Sequence, residues 1–119
     1  MQDALILTGS VVIALWGVGH LYPTAAVVKG FEPTSRDNRL TITMEWLAEG
    51  LILIFIGGLG FFTVVRDWPL DVPLALAAML LAFAALTALT GARTSVLPIK
   101  LCPFVKTAVA AIFIVAAAI

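Results

Sequence analysis

Residues 40–65 read LTITMEWLAEGLILIFIGGLGFFTVV, an apolar run with two carboxylates, Glu45 and Glu49, near its beginning, closed by Arg66-Asp67-Trp68-Pro69-Leu70-Asp71. As a helix, a run of this length crosses a hydrocarbon layer of about 30 Å, which takes roughly 20 residues. It is far longer than the ~10 residues of a transmembrane strand, and it does not alternate with period two. The pattern recurs along the chain. Residues 4–28 are apolar apart from His20, Tyr22 and Pro23, and a polar segment with Pro, Gly and five charges (Lys29 to Arg39) separates them from the quoted run. Residues 72–92 are almost pure Ala and Leu, and residues 101–119 form the last and shortest run, with Pro103 where a first helical turn tolerates proline. Short connections favour antiparallel neighbours. The expected fold is therefore all-α: an integral-membrane, antiparallel four-helix bundle forming one domain over residues 1–119.

Composition points the same way. Of 119 residues, 62% are hydrophobic and 12% charged, whereas an ordinary soluble domain is about half apolar and about a quarter charged. A domain this small could not hide so much apolar surface from water, which excludes a soluble globular enzyme. Disorder needs low hydrophobicity and high net charge and is excluded too. Seven basic and seven acidic residues cancel, and no basic stripe is interleaved with aromatics, so no nucleic-acid partner is expected. Cys102 is the sole cysteine and has no internal partner for a disulfide. Met1-Gln2-Asp3 puts an acid ahead of the first apolar run, with no Ala-x-Ala pattern after it, unlike a removed signal peptide.

With four spans, both termini and the second connection share one face, which carries only Arg66 among basic residues. The other face holds Lys29, Arg36, Arg39, Arg93, Lys100 and Lys106. By the positive-inside rule the first and third connections are cytoplasmic and both termini external. The expected location is a prokaryotic inner (plasma) membrane, crossed several times.

The polar residues are unevenly placed. His20 ends span one, Glu45 and Glu49 begin span two, Thr87, Thr90 and Arg93 end span three, and Lys106 opens span four. Antiparallel threading puts all of them in the cytoplasmic half, while the external half offers only Thr8, Ser10 and Thr63. Glu45 and Glu49 are four apart and share a helix face. An acid at the bilayer centre costs roughly 2.5 to 3.5 kcal/mol, so each must be protonated, paired, or lining a wet pocket. One carboxyl of the pair is expected to be neutral near neutral pH, and a neutral carboxyl beside an ionised one is an acid and a base in one site. Alternatively, the glutamates bind Arg36, Arg39, Arg93 or Lys106 and hold the helices together.

His20 lies in WGVGHLYPT, residues 16–24, with Trp16 one turn earlier on the same face. It titrates near neutral pH and suits a proton relay, with Trp16 and Tyr22 as substrate contacts; equally, Trp16 and Tyr22 are interfacial belt residues. Arg36, Asp37 and Arg39 either fold over the pocket, the arginines binding an anionic or carbonyl group, or form a solvated turn in which Asp37 or Asn38 caps the second helix. Trp46 offers a π face to a cation or anchors at the interface. Cys102 near Lys106 is either an activated thiol or a small packed one. His20, Glu45 and Glu49 lack the spacing of a metal site, and Gly57, Gly58 and Gly60 suit close helix packing rather than a cofactor. No metal and no cofactor are expected.

A four-helix membrane protein of this length, with its polar groups at one end, resembles the DoxX-like proteins and, more distantly, the emopamil-binding-protein-like (EXPERA) group. The resemblance covers the architecture of the whole chain and no residue-by-residue motif. It implies that such a bundle houses acid/base chemistry on a hydrophobic substrate, or binds cationic amphiphiles.

The chain therefore reads as a non-redox membrane enzyme, an isomerase, cyclase or ring-opening hydrolase. It would act on a lipophilic small molecule or membrane lipid, with Glu45, Glu49 and His20 catalytic and Trp16, Tyr22, Trp46, Arg36, Asp37, Arg39 and Arg93 binding substrate. The competing class is a small proton- or cation-coupled transporter or amphiphile-binding protein, which as a transporter needs a homodimer to make room for a pathway. A structural subunit of a larger assembly is the third.

Overall fold

The computed structural model describes residues 1–119 and contains helices and no strands. α1 is Gln2–Leu21, α2 the short Thr24–Lys29, α3 Arg36–Val65, α4 Asp71–Leu89 and α5 Leu97–Ala118, with a 3₁₀ turn at Gly91–Arg93 before α5. Four helices are long and apolar enough to cross a membrane: α1, α3, α4 with its 3₁₀ turn, and α5. They form an all-α four-helix bundle with principal extents of 50 × 24 × 17 Å. Only 33% of each apolar window is buried inside the bundle. Leu15, Leu51, Phe55, Leu86, Leu89 and Phe104 all point outward, a surface that only lipid solvates well. The chain is an integral membrane protein.

The helix ends correct the expected spans. Residues 4–28 are not one helix: α1 stops at Leu21, because Pro23 lacks the N–H that would continue the ladder. Two of the carbonyls left over at that end find side-chain donors. Trp46 Nε1 donates to His20 O at 2.7 Å and Thr24 Oγ1 to Leu21 O at 2.5 Å. α3 starts at Arg36 rather than residue 40, and its cap is Ser35, not Asp37 or Asn38; Ser35 Oγ accepts from Asn38 N at 3.1 Å. Its far end closes with Trp68 N donating to Thr63 O and Asp67 N to Val64 O, Asp67 taking a φ of 53°. That pairing is a Schellman motif. α4 ends at Leu89, short of residue 92. α5 begins at Leu97 rather than 101, so Pro98 occupies its first turn and Pro103 lies inside the helix. Lys106, expected near a helix start, is nine residues in, about 14 Å along the axis.

α1 packs along α3 and α4 along α5; the two pairs are joined mainly through α1 against α5, and α3 scarcely touches α4. Small residues let α1 and α3 approach closely. A Cβ on Gly17 would stand 2.7 Å from Gly50 O, and one on Gly57 2.6 Å from Ser10 O. Gly58, expected to serve the same packing, faces open space, as does Gly19. Away from the polar end, Ile6, Ile13, Leu53, Ile56, Leu80 and Phe113 fill a dry core. There Ser10 and Thr63 return their hydroxyl protons to the carbonyls of Ile6 and Leu59 on their own helices.

Candidate functional site

Each of the four long helices sends one polar side chain to a common point inside the bundle. α5 contributes Lys106, whose side chain is 0% exposed. Its ammonium donates to Glu49 Oε1 of α3 and, at 2.8 Å, to Thr87 Oγ1 of α4. Thr87 passes its own proton to Phe83 O at 2.8 Å, and the Phe83 ring lies 5.8 Å from the ammonium. α1 contributes His20, with Nε2 3.7 Å from Glu49 Oε2 and without a hydrogen-bond partner. The imidazole stacks on Trp46 at 3.9 Å between centroids and 16° between planes. Glu49 is thus the hub, an ion pair on one oxygen and an imidazole beyond the other.

The His20–Trp46 stack separates two cavities. The first, of about 380 Å³, opens where α3 and α4 diverge and is lined by Glu45, Glu49, Trp46, Phe83, Thr87 and Thr90, among others. No basic side chain lines it. Its hydroxyls have given away their protons: Thr41 to Asp37 O, Thr87 to Phe83 O, and Thr90 to Leu86 O. The indole N–H of Trp46 is engaged by His20 O. The polar side chains of the cavity consequently present two carboxyl groups and three hydroxyl lone-pair sites. The second cavity, of about 460 Å³, lies between α1 and α5 and is lined by Trp16, His20, Trp46 and Cys102 with apolar neighbours. Trp46 borders both.

Depth follows from helix length. At ~1.5 Å per residue α3 is roughly 45 Å long against a hydrocarbon layer of about 30 Å. With its Val65 end at one face, its first turns stand beyond the other. Glu45 then sits at the boundary and Glu49 about 6 Å inside it. Glu45 is exposed on the bundle, while the Glu49 side chain is 28% accessible.

The expected site residues divide accordingly. Glu45, Glu49 and Trp46 meet in the first cavity, and His20 and Trp16 line the second. The partner of Glu49 is Lys106 rather than Glu45. Tyr22 is 93% exposed, and Arg36, Asp37 and Arg93 are exposed and border neither cavity. Arg39 bonds Glu32 at 2.6 Å, beside a surface groove that also holds Thr24, Lys29 and Thr43. Arg36 and Arg39 therefore do not fold over the cluster, because the turns of α3 that carry them project past it. Lys106, Thr87 and Cys102 belong to the constellation, although none was among the expected catalytic or binding residues. Of the four cations the sequence offered to the glutamates, Arg36, Arg39, Arg93 and Lys106, it is Lys106, a lone cation within the last apolar stretch, that pairs with Glu49. No three His, Cys, Asp or Glu side chains come together as metal ligands. Compared with protein-family models, with curated proteins and with solved structures, the chain matches none.

Proposed function

We propose that this protein is an integral-membrane enzyme performing acid/base chemistry, an isomerisation, cyclisation or ring opening, on a lipophilic small molecule held in the cleft between α3 and α4. The observation that carries the proposal is the set of side chains lining that cavity, two carboxyl groups and three threonine hydroxyls with no basic group, between two helices that scarcely touch. A lining with carboxyl groups and no basic side chain favours positive charge developing on the substrate, as when a carbon–carbon double bond or strained ring is protonated. Glu45, unpaired at the cavity mouth, is the acid when protonated. Glu49, paired with Lys106, steadies the developing charge or takes up a proton. His20 exchanges protons with Glu49, and the Trp46 face lies beside the reacting carbon. The polar end faces the cytoplasm, given the bias of basic residues. The architectural resemblance to DoxX-like and EXPERA-like proteins supports this reading.

The test is mass spectrometry of lipophilic molecules that co-purify with the wild-type protein and with Glu45→Gln. A pair of species related by isomerisation or hydration should accompany the wild type, with only the unreacted one on the variant. If Glu45→Gln, folded and embedded, converts the identified substrate at the wild-type rate, the proposal fails.

One observation favours binding without chemistry. Lys106 already balances Glu49, which leaves Glu45 as the uncompensated carboxyl of the cavity, and a single positive headgroup would match it. In that reading the co-purifying amphiphile is cationic and unchanged, and Glu45→Gln weakens its retention.

A further inference from the structure

A surface groove of about 670 Å³ lies between α2 and the first turns of α3. Lys29, Glu32 and Arg39 supply its charges, and Thr24 and Thr43 its hydroxyls. It shares no residue with either cavity described above, so the chemistry proposed there does not bear on it. Its depth is that of lipid headgroups. With Glu45 at the hydrocarbon boundary, Thr43 stands about 3 Å and Arg39 about 9 Å beyond it at ~1.5 Å per residue. The headgroup layer is roughly 5 to 7 Å thick on each side of a bilayer, and the α3 wall of the groove spans it.

The two cations have different surroundings. Lys29 is exposed and takes part in no ion pair. Arg39 Nη2 donates to Glu32 Oε1 at 2.6 Å, which holds the guanidinium in place and leaves the rest of its five-donor fork for a second anion. The hydroxyls have the opposite need. Thr24 Oγ1 has given its proton to Leu21 O and Thr43 Oγ1 to Arg39 O, so each offers a ligand only lone pairs. Lys29 and Arg39 against Glu32 leave one net positive charge in the groove. The ligand that matches carries one negative charge on an accepting group, with neutral donors beside it. A zwitterionic headgroup leaves the charge unbalanced.

We infer that this groove binds one anionic glycerophospholipid whose headgroup carries free hydroxyls, the chemistry of phosphatidylglycerol. Its phosphate lies between the Lys29 ammonium and the free edge of the Arg39 guanidinium, both charge-assisted contacts. Its headgroup hydroxyls donate to Thr24 and Thr43. Ala25 and Val28 make the rest of the α2 wall apolar, which suits the ester end of the lipid. Depth selects a lipid over a soluble phosphate ester, because the bilayer itself delivers phosphate groups to this level. The bound headgroup ties α2 to α3 across the first connection, beside the Arg39–Glu32 pair.

The test reads binding of added lipid and no turnover, so this inference and the proposed function can fail separately. Delipidated protein in non-ionic detergent is titrated with defined lipids and followed by native mass spectrometry. One phosphatidylglycerol should bind saturably, about 10-fold more tightly than phosphatidylethanolamine or phosphatidylcholine. Phosphatidylmethanol has the same charge without the hydroxyls and should bind about 5-fold more weakly than phosphatidylglycerol. Lys29→Gln should weaken phosphatidylglycerol binding about 5-fold. Lys100→Gln, exposed at the same end of the bundle but outside the groove, should leave it unchanged. Equal binding of phosphatidylglycerol and phosphatidylmethanol, or of phosphatidylglycerol and phosphatidylethanolamine, overturns the inference, as does equal weakening by the two lysine substitutions. Displacement of the bound lipid by glycerol phosphate at the same concentration overturns it too, by making the ligand a soluble ester.

Discussion

Lys106 of α5 is fully enclosed by the bundle and donates its ammonium to the Glu49 carboxylate of α3, bridging helices that belong to different halves of the chain. Its second bond, to Thr87, draws α4 into the same contact. Removing the cation strands a carboxylate, and removing the carboxylate strands the cation. Breaking a buried pair costs about 3–5 kcal/mol. Glu49 retains 28% exposure, so Lys106→Met should cost less, about 2–3 kcal/mol. Denaturant titration in micelles measures this, and Lys106→Met with Glu49→Leu should recover most of the loss. An equal loss in single and double variants would mean that the pair does not act as a unit.

The glycines of α1 and α3 should separate into two classes. A Cβ at Gly17 or Gly57 would press on backbone oxygen at 2.7 and 2.6 Å. Alanine at either is expected to cost about 1–3 kcal/mol through overpacking. Gly19 and Gly58 face open space, and alanine there should be neutral or stabilise by roughly 0.5–1 kcal/mol. Thermal unfolding of the four single variants compares them directly, and equal effects would refute the close approach of the two helices.

Trp46→Phe keeps a ring to stack on His20 and removes the donor that satisfies His20 O. Leaving a buried carbonyl without a partner should cost about 1–3 kcal/mol. Amide hydrogen exchange should quicken in the last turn of α1, next to Pro23. Unchanged exchange there would show that the indole does not hold the helix end.

The exposed arginines give the contrasting case. Arg36→Ala and Arg93→Ala, at positions lining neither cavity, should change stability by less than about 0.5 kcal/mol. Ligand retention in the first cavity should stay at the wild-type level. Arg39→Ala breaks only the exposed pair with Glu32, which is worth about 0.2–1 kcal/mol. Loss of that co-purifying ligand in the Arg36 or Arg39 variant would return the first connection to the site, and loss in the Arg93 variant the third.

The four spans were legible because a bilayer converts helix length into a one-dimensional criterion, and residues 40–65 meet it without knowledge of any partner. That the polar residues share one end was legible as well, since antiparallel threading reverses direction at each turn and aligns the end of one span with the start of the next. Helix boundaries were less legible. Ser35 as a cap and Pro98 in a first turn lengthen α3 and α5 by four residues each beyond their apolar stretches, because a helix emerging into water need not stay apolar.

Sequence alone therefore determined the class, the number of apolar spans and the end of the bundle where the polar side chains gather. Tertiary structure decided which face of each helix turns inward: that Glu49 meets Lys106 rather than Glu45, that Trp46 borders two cavities, and that Arg36 and Arg93 line neither. The physical reason is the solvent. Lipid is as apolar as the core, so the spans carry no polar stripe to mark an outer face. Each residue turns the helix by about 100°, and only packing against neighbours reveals the rotation.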